Sequence, residues 1–362
     1  CHIGDEVKNG VEWYSHQVAP FGRQILPEDT FFPYFIAYLY KTIKFFNHSA
    51  TLFEVQTNIY PALLSALTVL LIFLIGRKIA GNVAGFFASL MAGLHAAFVN
   101  RTIHGDNDAS VMFFAILTLW LFIEAIYANK TLKRLTLAAL SGLAAAVFSI
   151  SWGGWWFVLV FIIMASAATV AAGALNSFIS SLTKGRNAVS GAIDGIKAAP
   201  TGTAGKLVTA PTAVFLLATA FFVGILTNFD TILQLPRNIF GIAKLKSAVR
   251  SQSYWPNVLT TVAELNEGSF QQVVSQIKPG IFWLSALSAA LLIALAAIHF
   301  LLPLMRNQTS QKLRQRFQPK EENALYSIFF ATLVAVWFIG TIYASTKGIR
   351  FVLLLAPMAG LG

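Results

Sequence analysis

An all-α polytopic membrane protein, a helical bundle with large external loops, is the fold class this sequence predicts, on three observations. The 362 residues are 56% hydrophobic and only 11% charged, against roughly 45–50% apolar in ordinary soluble domains. Apolar runs of about 20 residues recur along the chain, the length a helix needs to cross a ~30 Å hydrocarbon core. The basic residues are unevenly placed, with 14 of the 26 Lys and Arg in four alternate loops, the kind of bias that orients a membrane protein.

Residues 1–56 precede any spanning run and read as an external loop. Within it "TFFPYFIAYLYKTIKFF" (30–46) is apolar but carries Pro33, Lys41 and Lys44, which suits a helix lying in the membrane interface. Spanning runs follow near 57–76, 80–99, 108–128, 135–151, 155–175, 207–227, 281–305 and 324–345, and a further one begins at 351. Most show no amphipathic period, as expected where a helix meets lipid or other helices on all sides. Small residues in "AALSGLAAA" and "SALSAALLIALAA" suit close helix packing. The 176–206 linker is rich in Gly, Ala, Ser and Thr and reads as a flexible loop. The stretch 227–250, with helical spacing and a basic tail, reads as lying along the surface. Four divisions follow: the external loop 1–56, transmembrane helices over 57–227 with an external acidic turn at 100–108, a long external loop at 228–280, and transmembrane helices over 281–362.

Strict alternation places "GRKIAGN", "ANKTLKRLT", 176–206 and 306–323 on one side, which their basic residues make cytoplasmic. The opposite side holds 11 of the 15 acids. It also holds the other 12 basic residues, several of them in one long loop, where the charge rule is weaker. A single cysteine, Cys1, excludes an internal disulfide framework. The chain opens on that cysteine rather than on methionine or a signal sequence, so it is expected to be a fragment.

The unusual polar groups share the external face. Asp106 and Asp108 stand one residue apart in "RTIHGDND", just ahead of an apolar run. Two such carboxylates can reach one hard divalent cation, Mg²⁺ or Mn²⁺. They can equally cap a helix, where the positive end of its dipole favours acids. Glu264 lies in the long loop in "TTVAELNE", and Arg350 opens the last apolar run, where an arginine either snorkels to the interface or binds an anion. Arg101 can anchor a span end. His104 reads as a bystander, and His95 and His299, in apolar helices, read as structural. Glu124 falls within a span near its cytoplasmic end, within reach of Lys130 or solvent.

Together these stretches resemble the catalytic subunit of oligosaccharyltransferase, most closely its single-subunit archaeal form. The resemblance rests on "RTIHGDND", "SISWGGWWF", "TTVAELNE" and "GIRFVLLLAP", in that order, and on "GRQILPEDTFFPYFIAYLYK" near the start. It implies a GT-C-type helical bundle and transfer of an oligosaccharide from a polyprenyl phosphate or pyrophosphate to asparagine of an acceptor polypeptide with an N-x-S/T sequon. It implies that Asp106, Asp108 and Glu264 are catalytic and hold Mn²⁺ or Mg²⁺, that Arg350 meets the lipid pyrophosphate, and that Arg101 is a second basic residue of the substrate site. In many relatives two more residues separate the glycine from the acidic pair, so an alternative alignment makes Asp108 the first ligand and Ser110 the second.

The same resemblance implies an archaeal cell membrane with the site facing outside, a dolichol-type donor, membrane lipid as a partner and no nucleic acid. The family's first span with its aspartate, and its C-terminal globular domain, have no counterpart in the sequence, and only two spans stand where four are usual. The rivals are another polyprenol-dependent glycosyltransferase of the GT-C type and a transporter. A transporter would place ionisable groups near the midplane on broken helices rather than at one surface.

Overall fold

The computed structural model describes residues 6–8, 11–14, 23–27, 30–183, 185, 187–241, 268–301 and 321–361. The chain enters through a three-stranded antiparallel sheet in the order β1 (Glu6–Lys8), β2 (Val11–Tyr14), β3 (Arg23–Gln24), an element the sequence reading did not foresee. The interfacial segment then forms helix α1 (Phe31–Phe46). Its Phe45 and Phe46 are among the most exposed large apolar side chains, as befits a helix in contact with lipid.

A capping box between Thr51 and Glu54 opens α2 (Leu52–Glu54), which runs through a π-helical turn at Val55–Ile59 into α3 (Tyr60–Ala80). The hairpin partner is α4 (Asn82–Gly93). The two backbones nearly touch, because a Cβ on Gly85 would lie 2.6 Å from the Phe73 carbonyl oxygen. In a bilayer, where apolar burial gives no drive for helices to associate, such close van der Waals approach is what holds them.

The expected run at 80–99 is not one straight span. It breaks at Leu94–His95 and resumes as α5 (Ala96–Thr102), bent by 59°. Straight spans follow as α6 (Asp108–Ile126), α7 (Thr131–Ser149), α8 (Trp156–Thr183) and α10 (Ala210–Leu226). Among the described residues seven helices are long and apolar enough to cross a membrane, or eight with the bent pair counted as one. The protein is multi-pass.

Two further expectations are corrected. The 176–206 linker is not a flexible loop. Helix α8 extends to Thr183, and α9 (Ala188–Thr201) folds back on it, capped by Asn187 and tied by a 2.8 Å bond from the Ser181 hydroxyl to the Asp194 carboxylate. Alanine, at the top of the helix-propensity scale, outweighs the glycines there. The run from 351 begins instead as a 3₁₀ helix, Ile349–Leu355, before its last helix. Of the 227–250 stretch, α11 (Phe229–Leu233) and α12 (Leu235–Gly241) are described. Further on come α13 (Phe270–Ile277), α14 (Pro279–Leu301), α15 (Glu321–Lys347) and α16 (Ala356–Leu361).

The bundle is centred on α6. Of its apolar window 72% is buried inside the protein, against 22% for the window in α14. Phe122 of α6 meets Phe215 of α10 edge-on and Phe329 of α15 stacked. At the foot of α6, Glu124 pairs with Lys78 of α3 at 3.0 Å rather than with Lys130. Lys78 also lies over the Tyr127 ring, which stacks on Tyr326 at 4.1 Å. This end also carries Arg134, bonded to the Ala128 and Lys206 carbonyls.

The ion pair is half-buried, so removing one partner strands the other. Glu124→Ala should lower stability by on the order of 1–3 kcal/mol, and Lys78→Met with Glu124→Leu should recover most of the loss, because an apolar pair carries no desolvation cost. Thermal melting of the three proteins in one detergent measures both effects.

Candidate active site

The end of the bundle opposite Lys78 and Glu124 holds the acidic turn. Between the last residue of α5 and the first of α6 the chain has no regular hydrogen-bond ladder. One Asp106 carboxylate oxygen accepts the Asp108 backbone N–H at 3.0 Å, which satisfies one of the donors that a helix start leaves open. Asp106 thus supports the helix start from one residue outside it, while the N-cap itself is Asn107, without a side-chain cap bond; the Asp106 side chain remains exposed. Asp108 is the first residue of α6 and is 2% exposed. Its carboxylate lies 3.9 Å from a guanidinium nitrogen of Arg101, at the outer limit of an ion pair. The N-terminus of α6 adds positive potential beneath it.

Neutral contacts fix the turn from two sides. From α2's continuation, the Gln56 side-chain amide donates to the Gly105 carbonyl at 3.0 Å. A Cβ on Gly105 would stand 2.7 Å from the Gln56 carbonyl oxygen, so the residue is glycine because backbone passes backbone there. From the hairpin joining α7 to α8, Ser151 answers twice. Its carbonyl accepts the Asn107 side-chain amide at 2.7 Å, and its hydroxyl shares a 2.7 Å bond with that of Ser110. Ser110 is fully buried and also donates toward the Asn107 carbonyl at 2.8 Å.

The hairpin, "ISWGGWW", in turn meets two other elements. The Phe31 N–H at the head of α1 donates to the Ile150 carbonyl at 3.0 Å. The Trp152 ring lies over Phe148 and meets Phe351 of the 3₁₀ segment at 6.1 Å. That segment is held to α15 by the Trp337 indole N–H, which donates to the Leu354 carbonyl at 2.8 Å. It also packs against α5 and α13. The backbone of Arg350 thus belongs to the same end of the bundle as Asp106, Asp108 and Arg101.

Glu264, with the "TVAE" stretch, lies outside the described residues. Helix α13, which begins six residues after Glu264, opens with a capping box between Ser269 and Gln272 and buries Val273 and Ile277 against Val352 and Leu355. Lys278 then turns the chain into α14 with φ of 77°, a strained value for a side chain bearing a Cβ.

Among the described residues no three His, Cys, Asp or Glu side chains cluster as a ready-made metal cage. The donors at the turn are the carboxylates of Asp106 and Asp108. That set fits Mg²⁺ or Mn²⁺ used with a phosphate-bearing substrate, because Mg²⁺ takes one or two carboxylates and completes its shell with water and phosphate oxygens. Gln56, Asn107 and Ser151 escaped the sequence reading. Gln56 was legible only as a polar residue opening an apolar run, and nothing in "SWGG" points to "RTIHGDND".

Gly105→Ala should disturb the turn without touching the bundle. Backbone must shift to admit the methyl group, so stability should fall by about 1–3 kcal/mol, read by thermal melting, and amide exchange should quicken at residues 103–107 while the middle of α6 stays protected.

Comparison with known proteins agrees with the fold. Residues 2–361 match the family described as oligosaccharyl transferase STT3, N-terminal. A dolichyl-phosphooligosaccharide-protein glycotransferase of Methanococcus voltae is 27% identical over 385 residues, which take in all of this chain and 38% of that protein. The oligosaccharyltransferase AglB of Archaeoglobus fulgidus, solved with an inhibitory peptide and a dolichol-phosphate, superposes with a TM-score of 0.57 at 17% identity, over 97% of this chain and 43% of that one. Its apo form gives a TM-score of 0.54 at 16% identity, over the same shares. By the extent of the family match, this chain belongs to the oligosaccharyl transferase STT3 family and carries its N-terminal, membrane-spanning portion.

Proposed function

We propose that this protein transfers an oligosaccharide from a polyprenyl phosphate or pyrophosphate carrier to the side-chain amide of asparagine in an acceptor polypeptide bearing an N-x-S/T sequon. The observation that carries the reading is the acidic turn at the head of α6, clamped beside the segment that Arg350 opens, in a chain whose family match runs over nearly its whole length. The relative that spans it is named as a glycotransferase of dolichyl-phosphooligosaccharide and protein. Membership in this family speaks against the transporter and against an unrelated polyprenol-dependent transferase. The archaeal cell membrane, with the acidic turn facing outside, is the setting the basic loops and these relatives support.

An amide nitrogen is a poor nucleophile because its lone pair is shared with the carbonyl. Asp106 and Asp108 carry acceptor oxygens that can take hydrogen bonds from the two amide N–H groups and so loosen that conjugation. The nitrogen attacks the anomeric carbon as the bond from that carbon to the phosphate oxygen breaks, the electron pair leaving on that oxygen and one amide proton passing to a carboxylate of the turn. Arg350 is assigned to the departing phosphate, where a planar fork of donors meets charge as it develops. Arg101 steadies Asp108 from the rim and adds positive charge to the donor side. Glu264 acts from the external loop as a lid residue that completes the site when acceptor is bound. When bound by Asp106, Asp108 and Glu264, Mn²⁺ or Mg²⁺ would supply Lewis-acid stabilisation of the leaving oxygen.

Asp108 and Asp106 do different work here, since one is buried on α6 and the other is exposed and shares an oxygen with the backbone. Asp108→Asn should abolish most glycan transfer with a melting temperature close to wild type, and Asp106→Ala should reduce it strongly. Transfer to a sequon peptide in the presence of Mn²⁺, and its loss on chelation, measures both. Activity that persists through chelation and both substitutions removes the metal from the mechanism.

Arg350 gives a separate test. An arginine that only anchors a helix end accepts lysine at little cost, whereas one that grips phosphate does not. Lipid-linked donor binding should fall visibly in Arg350→Lys and further in Arg350→Gln. Equal binding in all three proteins would leave Arg350 as an anchor.

A further inference from the structure

The turn that carries both carboxylates has no secondary structure of its own over residues 103–107, so something else must fix where those carboxylates stand. A helix end frays unless its flanking backbone is tied down, and carboxylates that must meet a metal or an amide within about half an ångström need a rigid frame. Two ties are present, one on each side of Asp106, and neither comes from a charged group.

On the first side the backbone departs from ordinary helix to make the tie. Val55–Ile59 is wound as a π-helix, a local widening that costs regular hydrogen bonding and is frequent at functional sites. Gln56 lies in that turn, donates to the Gly105 carbonyl at 3.0 Å, and sits against the one residue whose missing Cβ allows the approach. On the second side Ser151 accepts the Asn107 amide at its carbonyl and binds the Ser110 hydroxyl with its own. Both hydroxyls are fully buried. Buried hydroxyls satisfied by each other specify geometry more than they add stability, because replacing both with apolar groups of the same shape is nearly neutral.

We propose that Gln56 and the Ser151–Ser110 pair are positioning residues for the reaction, holding the Asp106–Asp108 turn in the geometry that binds the divalent cation. The inference rests on the functional reading above and adds to it residues that touch neither substrate nor metal. On this proposal Ser110, whose hydroxyl bonds Asn107 and Ser151, serves the turn from behind rather than as a ligand. Partners of this kind behind metal ligands typically change metal affinity by about 10- to 100-fold when removed.

The test is a titration of the purified protein with Mn²⁺ alone, followed by the electron paramagnetic resonance signal of the free ion and paired with thermal melting. Gln56→Met keeps the length of the side chain and removes the donor. Ser110→Ala with Ser151→Ala removes both buried hydroxyls together. The Gln56 amide and the hydroxyl pair are removed in separate proteins, the Asn107 bond to the Ser151 carbonyl staying in both, so a folding failure in one leaves the other to decide. Thr169→Val is the control, since it removes a buried hydroxyl that bonds only to Ala165 within α8.

The expected result is Mn²⁺ affinity weakened about tenfold in both clamp variants, with melting temperatures near wild type and Thr169→Val unchanged. Wild-type affinity in both clamp variants overturns the proposal, as does an equal loss in Thr169→Val, which would mark a general packing effect. Asp108→Ala separates the two levels. If it binds Mn²⁺ as wild type does, or if wild type takes up none, the metal reading fails and this proposal with it. If Asp108→Ala loses the ion while both clamp variants keep it, the clamps alone are refuted.

Discussion

A carboxylate at the buried head of the central helix is the constraint around which this end of the molecule is arranged. Asp108 opens α6, the span most enclosed by the others, and is itself almost wholly buried. A charge so placed is expensive unless other groups meet it. Arg101 approaches from the end of α5 at 3.9 Å, the α6 N-terminus contributes its dipole, and Asp106 bends back to bond the Asp108 N–H. Each requires the chain to turn sharply between α5 and α6. That sharp turn explains why the preceding span is broken rather than straight: α5 leaves α4 at a bend and brings Arg101 across to the helix it must face.

The same demand reaches outward through neutral contacts. The turn leans on Ser151, the Ser151 hairpin leans on Phe31 through the Ile150 carbonyl, and Trp152 carries the contact to Phe351. Three segments far apart in sequence, the 30–46 helix, the 150–155 hairpin and the 349–355 segment, thereby converge on one end of the bundle. Nothing in this chain of contacts is strong alone. Hydrogen bonds of this kind contribute about 1 kcal/mol each net, and their value here lies in geometry.

The opposite end is built on different physics. Lys78 and Glu124 face each other where the spans end, roofed by the stacked Tyr127 and Tyr326 rings, and Arg134 closes over carbonyl groups that helix ends leave open. These groups tie α3, α6 and α15 together without gathering donors around any one point. The two ends differ: one pairs its charges between spans, and the other brings a buried carboxylate, Asp108, and an exposed one, Asp106, to the same turn.

The sequence by itself determined the class, most of the spans, that the acidic turn, "SWGG" and Arg350 share one end of the bundle, and the family they resemble. Those are properties of composition and order, and a bilayer enforces them through length and the cost of burying charge. Glycine and serine in α9 signal a loop locally, and packing against α8 makes the segment helical. The break at His95 was hidden for a related reason: an apolar run shows that a segment lies in the membrane, but not that it bends. Only the tertiary structure decided that Asp108 is buried while Asp106 is exposed, that Glu124 chooses Lys78 over Lys130, and that Ser110 is spoken for by Ser151. Those outcomes depend on which side chain a neighbouring helix presents at about 3 Å, the distance at which hydrogen bonds form. Spacing along one chain carries no record of that.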